Sequence, residues 1–297
     1  MVSPMSEFSP LYHQFKILPH NEELYLLAFT HSSFNGMNGR DILIYLSIHH
    51  LGDWDKIVTS IKHRDDVSLT AVASAVKSLT SKVVTIVDPD YPVSLKEAPK
   101  PPFVLYYYGD LSLIDDRKKC LTYIGSRQAS NYGLKMTKSI CEAASKEGFA
   151  IISGLAKGID GAAEKAALSQ GKAVAVLGNG IDYFYPAENS ALQRDMKTKG
   201  LVLSEYPFAT PPRPECFPAR NRILAALSQL TIVGEAKSRS GTLITVGYAL
   251  SIGRDVACVP YRADEESACN ALIKEGAPMV ENLEDVLDLV GARKGMA

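Results

Sequence analysis

The sequence predicts an α/β protein: a doubly wound, mostly parallel sheet preceded by a small helical segment. Two patterns and one limit carry that prediction. From Lys118 onward, short apolar runs alternate with amphipathic stretches about a dozen residues long, the rhythm of strand, crossover helix and parallel strand. Before residue 80 the apolar residues instead follow helical spacing, in Ile42, Leu43, Tyr45 and Leu46 and again in Leu69, Val72, Val76 and Leu79. The 297 residues, 46% hydrophobic and 22% charged, suffice for one large or two unequal domains with a sizeable core, and they exclude a disordered chain or a disulfide-stapled miniprotein.

In chain order, the first β-rich runs are 82–87 (KVVTIV) and 103–108 (FVLYYY). Pro89, Pro92, Pro99, Pro101 and Pro102 separate them and mark a junction, or a loop laid across the edge of the sheet. Strands then read at 121–124, 149–152, 173–177, 201–203, 231–233 and 256–259, with helical patterns starting near Tyr132, Ile159, Asn189, Ala219, Thr242 and Ser267. The continuous run AVAVLG at 173–178 suits a strand buried on both faces.

No run approaches the roughly 18 apolar residues needed to span a bilayer, and the first ten residues lack the plan of a signal peptide, so a cytoplasmic protein with no membrane contact is expected. Cys120, Cys141, Cys216, Cys258 and Cys269 are widely spaced, with no Cys-x-x-Cys and no histidine at metal spacing. They read as reduced, mostly buried thiols, and no metal is expected. A net charge of −1 excludes a uniformly basic nucleic-acid coat, so positive charge for a polyanion has to be concentrated in particular loops.

In a doubly wound sheet those loops follow the carboxyl ends of the strands, where helix N-termini present their amides. After residue 124 come Gly125, Ser126 and Arg127: a close backbone approach, a hydroxyl and a forked phosphate contact, or else a plain turn capped by Ser130 or Asn131. After 152, Ser153 and Gly154 suit an amide nest, Lys157 supplies a point charge, and Gly158 and Asp160 shape the helix start. The aromatics Tyr183, Phe184 and Tyr185 either stack bases or pack under a loop. Arg220, Asn221 and Arg222 fall at the expected first turn of a helix, where cations oppose the dipole unless an anion or carboxylate compensates them. Lys237, Arg239, Ser240, Gly241 and Thr242 occupy another strand-to-helix junction, the arrangement that holds a phosphate. Six cations thus fall at one edge of the sheet, a pattern better suited to an extended single-stranded polyanion than to a mononucleotide. No nucleophile elbow, zinc-protease motif, dinucleotide fingerprint or Walker loop occurs. Asp160 and Glu205 read as capping groups or partners of the local arginines.

The series GSR at 125–127, SGLAKGID at 153–160, AVLGNGIDYFYPAEN at 175–189, LSEYP at 203–207, FPARNRILAALS at 217–228, EAKSRSGTLIT at 235–245 and GRDVACVP at 253–260 resembles the DNA-processing protein A family, DprA or Smf. The resemblance covers about residues 40–290. It implies an extended Rossmann-like domain at 81–291 behind a small helical domain of sterile-alpha-motif type at 40–80, with a tail at 292–297. It also implies a homodimer that binds single-stranded DNA, recruits RecA recombinase and loads it on incoming strands during natural transformation. Such a protein is a recombination mediator with no catalytic residues and no cofactor. Arg127, Arg220, Arg222, Lys237 and Arg239 match the family's basic positions. Two departures stand out. The loop VPYRADEESACNALI is shorter than usual and acidic at Asp264, Glu265 and Glu266. Residues 11–38, within an extension at 1–39, look like the first helices of ribonuclease III without the acidic helix that binds its metals, so no nuclease activity is inferred. An alternative is a nucleotide-processing enzyme of phosphoribohydrolase type, whose P-G-G-x-G-T-x-x-E loop corresponds here to RSGTLIT, which has no acid.

Overall fold

The computed structural model describes residues 38–63 and 65–291. The ribonuclease III-like stretch lies outside the described residues except for Asn38, and so does the tail at 292–297. Asn38 caps α1 (Gly39–His49), its side chain accepting the Arg40 N–H. Next come α2 (Trp54–His63) and α3 (Leu69–Lys77), the latter capped by Ser68. Leu43 and Leu46 of α1 and Ile57, Val58 and Ile61 of α2 enter the same apolar core as the sheet. The proline-dense stretch is the mortar between them: the Trp54 indole donates to the Pro101 carbonyl at 2.9 Å, and Lys100 pairs with Asp55 at 2.7 Å.

Eight strands form one sheet in the order β1-β2-β6-β5-β4-β3-β7-β8. They are β1 (Lys82–Thr85), β2 (Val104–Gly109), β3 (Cys120–Gly125), β4 (Ala150–Ser153), β5 (Ala173–Leu177), β6 (Leu201–Ser204), β7 (Leu230–Glu235) and β8 (Asp255–Cys258). β3 to β8 pair in parallel; β1 with β2 and β2 with β6 pair antiparallel. The crossovers carry α4 (Asn131–Lys146), α5 (Ile159–Leu168), α6 (Ser190–Lys199), α7 (Cys216–Leu227) and α8 (Thr242–Ser251), and α9 (Ala268–Lys274) and α10 (Leu283–Leu289) follow β8. Every residue of β5 is buried, as its unbroken apolar run predicts. All five cysteines are buried as free thiols. Among the described residues no helix is long and apolar enough to cross a membrane.

β3 is the strand that fixes the site. The chain moves from β3 through β4 and β5 to β6 on one side, then returns to lay β7 and β8 on the other. The connections leaving β3 and β7 therefore diverge onto opposite faces, and a crevice opens between their carboxyl ends.

Candidate anion-binding site

The two loops at that crevice are fastened to one another. Gly125 ends β3 where an added Cβ would lie 2.7 Å from Ile159 and 2.8 Å from the Glu235 carbonyl. The Ser126 N–H donates to that carbonyl at 2.7 Å. The Glu235 carboxylate in turn accepts the Ser130 N–H at 3.0 Å and its hydroxyl at 2.7 Å, in space left free by Gly133. Ser130 is also the cap of α4, accepting the Gly133 N–H at 3.0 Å. The N-terminus of α4 thus has its own anion, and the fastened loop presents Arg127 to solvent, its guanidinium 5.6 Å from the Phe217 ring centre.

Under the crevice lies a buried ionic cluster. The Arg220 guanidinium, only 4% exposed, donates to the Gly154 carbonyl at 2.9 Å and to the Val176 carbonyl. A Cβ at Gly154 would sit 2.5 Å from that guanidinium, so glycine is required for Arg220 to lie there. Asp160 in the first turn of α5 accepts the Gly125 N–H at 3.3 Å, and Glu164 one turn on accepts the Leu155 N–H at 3.0 Å. Burial raises the Asp160 carboxyl above the ordinary range against the pull of Arg220. Burial, with the charge of Asp160 added, raises Glu164 much further.

The native protein therefore holds these protons more tightly than the unfolded chain does. Their stabilising contribution is complete below about pH 4 and is lost as the pH rises through the raised native values. Glu164→Gln keeps an acceptor for Leu155 and removes the ionisation. Its unfolding free energy in urea should fall less steeply than that of the wild type between about pH 5 and about pH 8. Identical slopes would show that Glu164 does not titrate in that window.

α7 begins at Cys216, not near Ala219 as expected, because Pro218 falls in the first turn, where no N–H is required. Arg220 therefore stands a full turn in, and opposition to the dipole is not what makes it significant. Arg222 is 4% exposed on another side of the helix. Its fork binds Glu205 at 2.6 and 2.8 Å while Nε donates to the Lys100 carbonyl at 2.8 Å, so it lies away from the crevice. Lys157 is exposed but ion-paired with Glu188, and the Ser153 hydroxyl is buried on the Tyr123 carbonyl at 2.6 Å. Gly158, with φ +75°, makes the turn into α5 against the Ser126 carbonyl.

The crevice is a pocket of about 780 Å³. Gly125, Ser126, Arg127, Arg220, Asn221, Lys237, Arg239, Ser240 and Gly241 line it, whereas Ser153, Gly154, Lys157, Gly158 and Arg222 do not. The acidic loop after β8 contributes nothing to the lining either. There Arg262 binds Asp264 at 2.7 Å and Glu265 at 3.2 Å. Lys237 and Arg239 stand exposed before the N-terminus of α8, where the Ser240 hydroxyl accepts the Thr242 N–H at 3.2 Å. The lining also includes Tyr185, one of the three aromatics that the sequence offered for base stacking, together with Pro212, Pro214, Phe217 and Pro218, which sequence reasoning did not single out. Phe217 had a legible signal, since it precedes Arg220 by three residues and so shares its helix face. The Phe217 ring lies on the backbone of Gly178, with Tyr185 tilted against it at 5.7 Å.

A switch-point pocket whose lining combines a helix N-terminus, exposed cations and rings is the kind of ligand crevice that the doubly wound α/β class builds. The family model for DNA recombination-mediator protein A matches residues 82–291, and the chain belongs to that family. It is 42% identical over 210 residues to protein Smf of Synechocystis, covering 69% of this chain but 53% of that protein. It is 44% identical to DNA processing protein DprA of Streptococcus pneumoniae, covering 68% of this chain and 72% of the relative. Among solved structures, DNA processing protein A from S. pneumoniae superposes with a TM-score of 0.70 at 36% identity, covering 92% of this chain and 98% of that one. The Helicobacter pylori protein, solved for its single-stranded DNA binding mode, superposes with a TM-score of 0.65 at 27% identity, covering 72% and 97%.

Proposed function

We propose that the pocket binds single-stranded DNA. On this reading the protein is a cytoplasmic, homodimeric recombination mediator that protects incoming strands and loads RecA on them during natural transformation. The observation that carries the binding reading is a pocket lined by both cations and rings. Arg127, Lys237 and Arg239 are exposed cations with no carboxylate partner among the described residues, and Tyr185, Phe217 and three prolines share the lining with them. Phosphates fit the cations and bases the rings, and a duplex would not offer its bases to the rings. The likeness to the H. pylori protein, which binds single strands, supports the same reading. A non-enzymatic role is supported by the acids nearby, which are committed to structure: Asp160 and Glu235 hold backbone amides, and Glu205 holds Arg222. The phosphoribohydrolase alternative lacks its glutamate in the loop before α8.

The test is binding of a labelled single-stranded oligonucleotide across a salt series, with duplex as competitor. Wild type should prefer the single strand. Arg127→Ala with Lys237→Ala should weaken binding and flatten the logarithmic salt slope by about 1.4, that is, about 0.7 for each phosphate left without its cation. Equal binding by the double variant would sink the assignment, and nucleotide hydrolysis would then be measured instead.

A further inference from the structure

One residue outward from the pocket wall, the chain repeats the combination of ring and cation on a different helix. Tyr185 lines the pocket; Phe184, its neighbour, does not, yet the residue is 37% exposed. The Arg194 guanidinium of α6 lies 5.4 Å from the centre of that ring, and the Lys197 ammonium lies 5.2 Å from it. Lys197 is held in place from below, stacked 4.1 Å from the Tyr108 ring and 3.3 Å from Asp182, which also accepts the Tyr108 and Thr80 hydroxyls at 2.8 and 2.6 Å. Its charge is therefore largely answered by Asp182. Arg194 is exposed and pairs with no carboxylate among the described residues, because the adjacent Asp195 is taken by Lys199 at 3.5 Å. The exposed ring and the guanidinium beside it together offer a stacking face next to a charge that can meet a phosphate.

We propose that Phe184 and Arg194 form an outer subsite for the next nucleotide of a single strand leaving the pocket, the ring stacking the base and the guanidinium meeting the phosphate. The proposal rests on the single-stranded DNA reading of the pocket. Consecutive residues, Tyr185 and Phe184, carry the platform from the pocket rim to the α6 surface, so a strand stacked on the first is within one step of the second. The ligand is a single-stranded polynucleotide because a free nucleotide, filling the pocket alone, would reach neither Phe184 nor Arg194. Neither side chain is part of the core, so the variants test binding without threatening the fold.

The experiment compares a short strand, dithymidylate, with an oligothymidylate of about 16 nucleotides on wild type, Phe184→Ala, Arg194→Ala and Arg127→Ala. Phe184→Ala and Arg194→Ala should bind the short strand as wild type does and lose roughly tenfold in affinity for the long one. Arg194→Ala should also lower the salt slope for the long strand alone, by about 0.7. Arg127→Ala should weaken both lengths. Wild-type affinity of the two outer variants for both lengths would overturn the subsite while leaving the pocket assignment intact. Equal losses on both lengths would overturn it too, by showing that Phe184 acts through the pocket. If wild type itself bound neither strand, the DNA reading would fall and the subsite with it.

Discussion

Glu205→Ala is expected to lower the free energy of unfolding by about 3–5 kcal/mol, the cost of leaving a buried guanidinium without its anion. The magnitude follows from the completeness of the pair. Both carboxylate oxygens of Glu205 lie within 2.8 Å of Arg222 Nη2, and the side chains are 5% and 6% exposed. The other two nitrogens of the fork donate to the Lys100 and Ala219 carbonyls, so Arg222 cannot turn toward water without abandoning the proline-dense segment that joins the helical unit to the sheet. Replacing both partners by apolar residues, as in Arg222→Met with Glu205→Leu, should recover most of that loss, because it removes the buried charge along with its counterion. Urea denaturation of the single and double variants measures both effects. A loss below about 1 kcal/mol for Glu205→Ala would mean that the pair behaves as a solvent-screened one. Any loss of DNA binding in an Arg222 variant should follow its loss of fold.

Gly158→Ala should combine a stability loss of about 2–4 kcal/mol with weakened binding of single strands. Gly158 holds φ +75° and ψ −124°, a conformation that side chains avoid. A Cβ there would intrude on the Ser126 carbonyl oxygen and come within 2.9 Å of the Arg127 carbonyl group. That Ser126 oxygen accepts the Ile159 N–H at 3.1 Å, so the intrusion would part the start of α5 from the loop that carries Arg127. Gly253, at φ +67° with nothing within 4 Å of its added Cβ, separates the two causes. Gly253→Ala should cost about 1 kcal/mol from backbone strain alone and leave DNA affinity unchanged. If the two alanine variants lost stability equally, the contact between Gly158 and the Ser126 loop would not matter.

Most of the sheet was legible because its strands are buried on both faces and end in glycine or polar turns. The 173–177 run is β5 to the residue, and Thr242 begins α8. The direction of β2 was not legible. FVLYYY marks a strand but says nothing of its sense, and β2 runs antiparallel to β6. The loops were legible as a group and less so residue by residue. Arg127, Lys237 and Arg239 could be read from the strand ends alone. Arg220 and Arg222 looked equivalent in sequence, yet positions two apart on a helix point roughly 200° from each other. One therefore reaches the pocket floor and the other a carboxylate on the far side. Tyr185 was legible as a stacking candidate, but its pairing with Phe217 was not, because the two belong to different segments that only the packed fold brings within 5.7 Å.

Were Arg220, Asp160 and Glu164 all ionised, the floor of the pocket would carry a net negative charge and repel the phosphates its rim attracts. Burial discourages that state: it raises both carboxyls, while the guanidinium remains a cation throughout the physiological range. With Glu164 neutral the floor carries no net charge, and with Asp160 neutral as well it is positive. The direction of both shifts therefore biases the floor away from opposing the rim. Buried charges are screened much less than exposed ones, so added salt weakens Arg127, Lys237 and Arg239 more than it alters the floor.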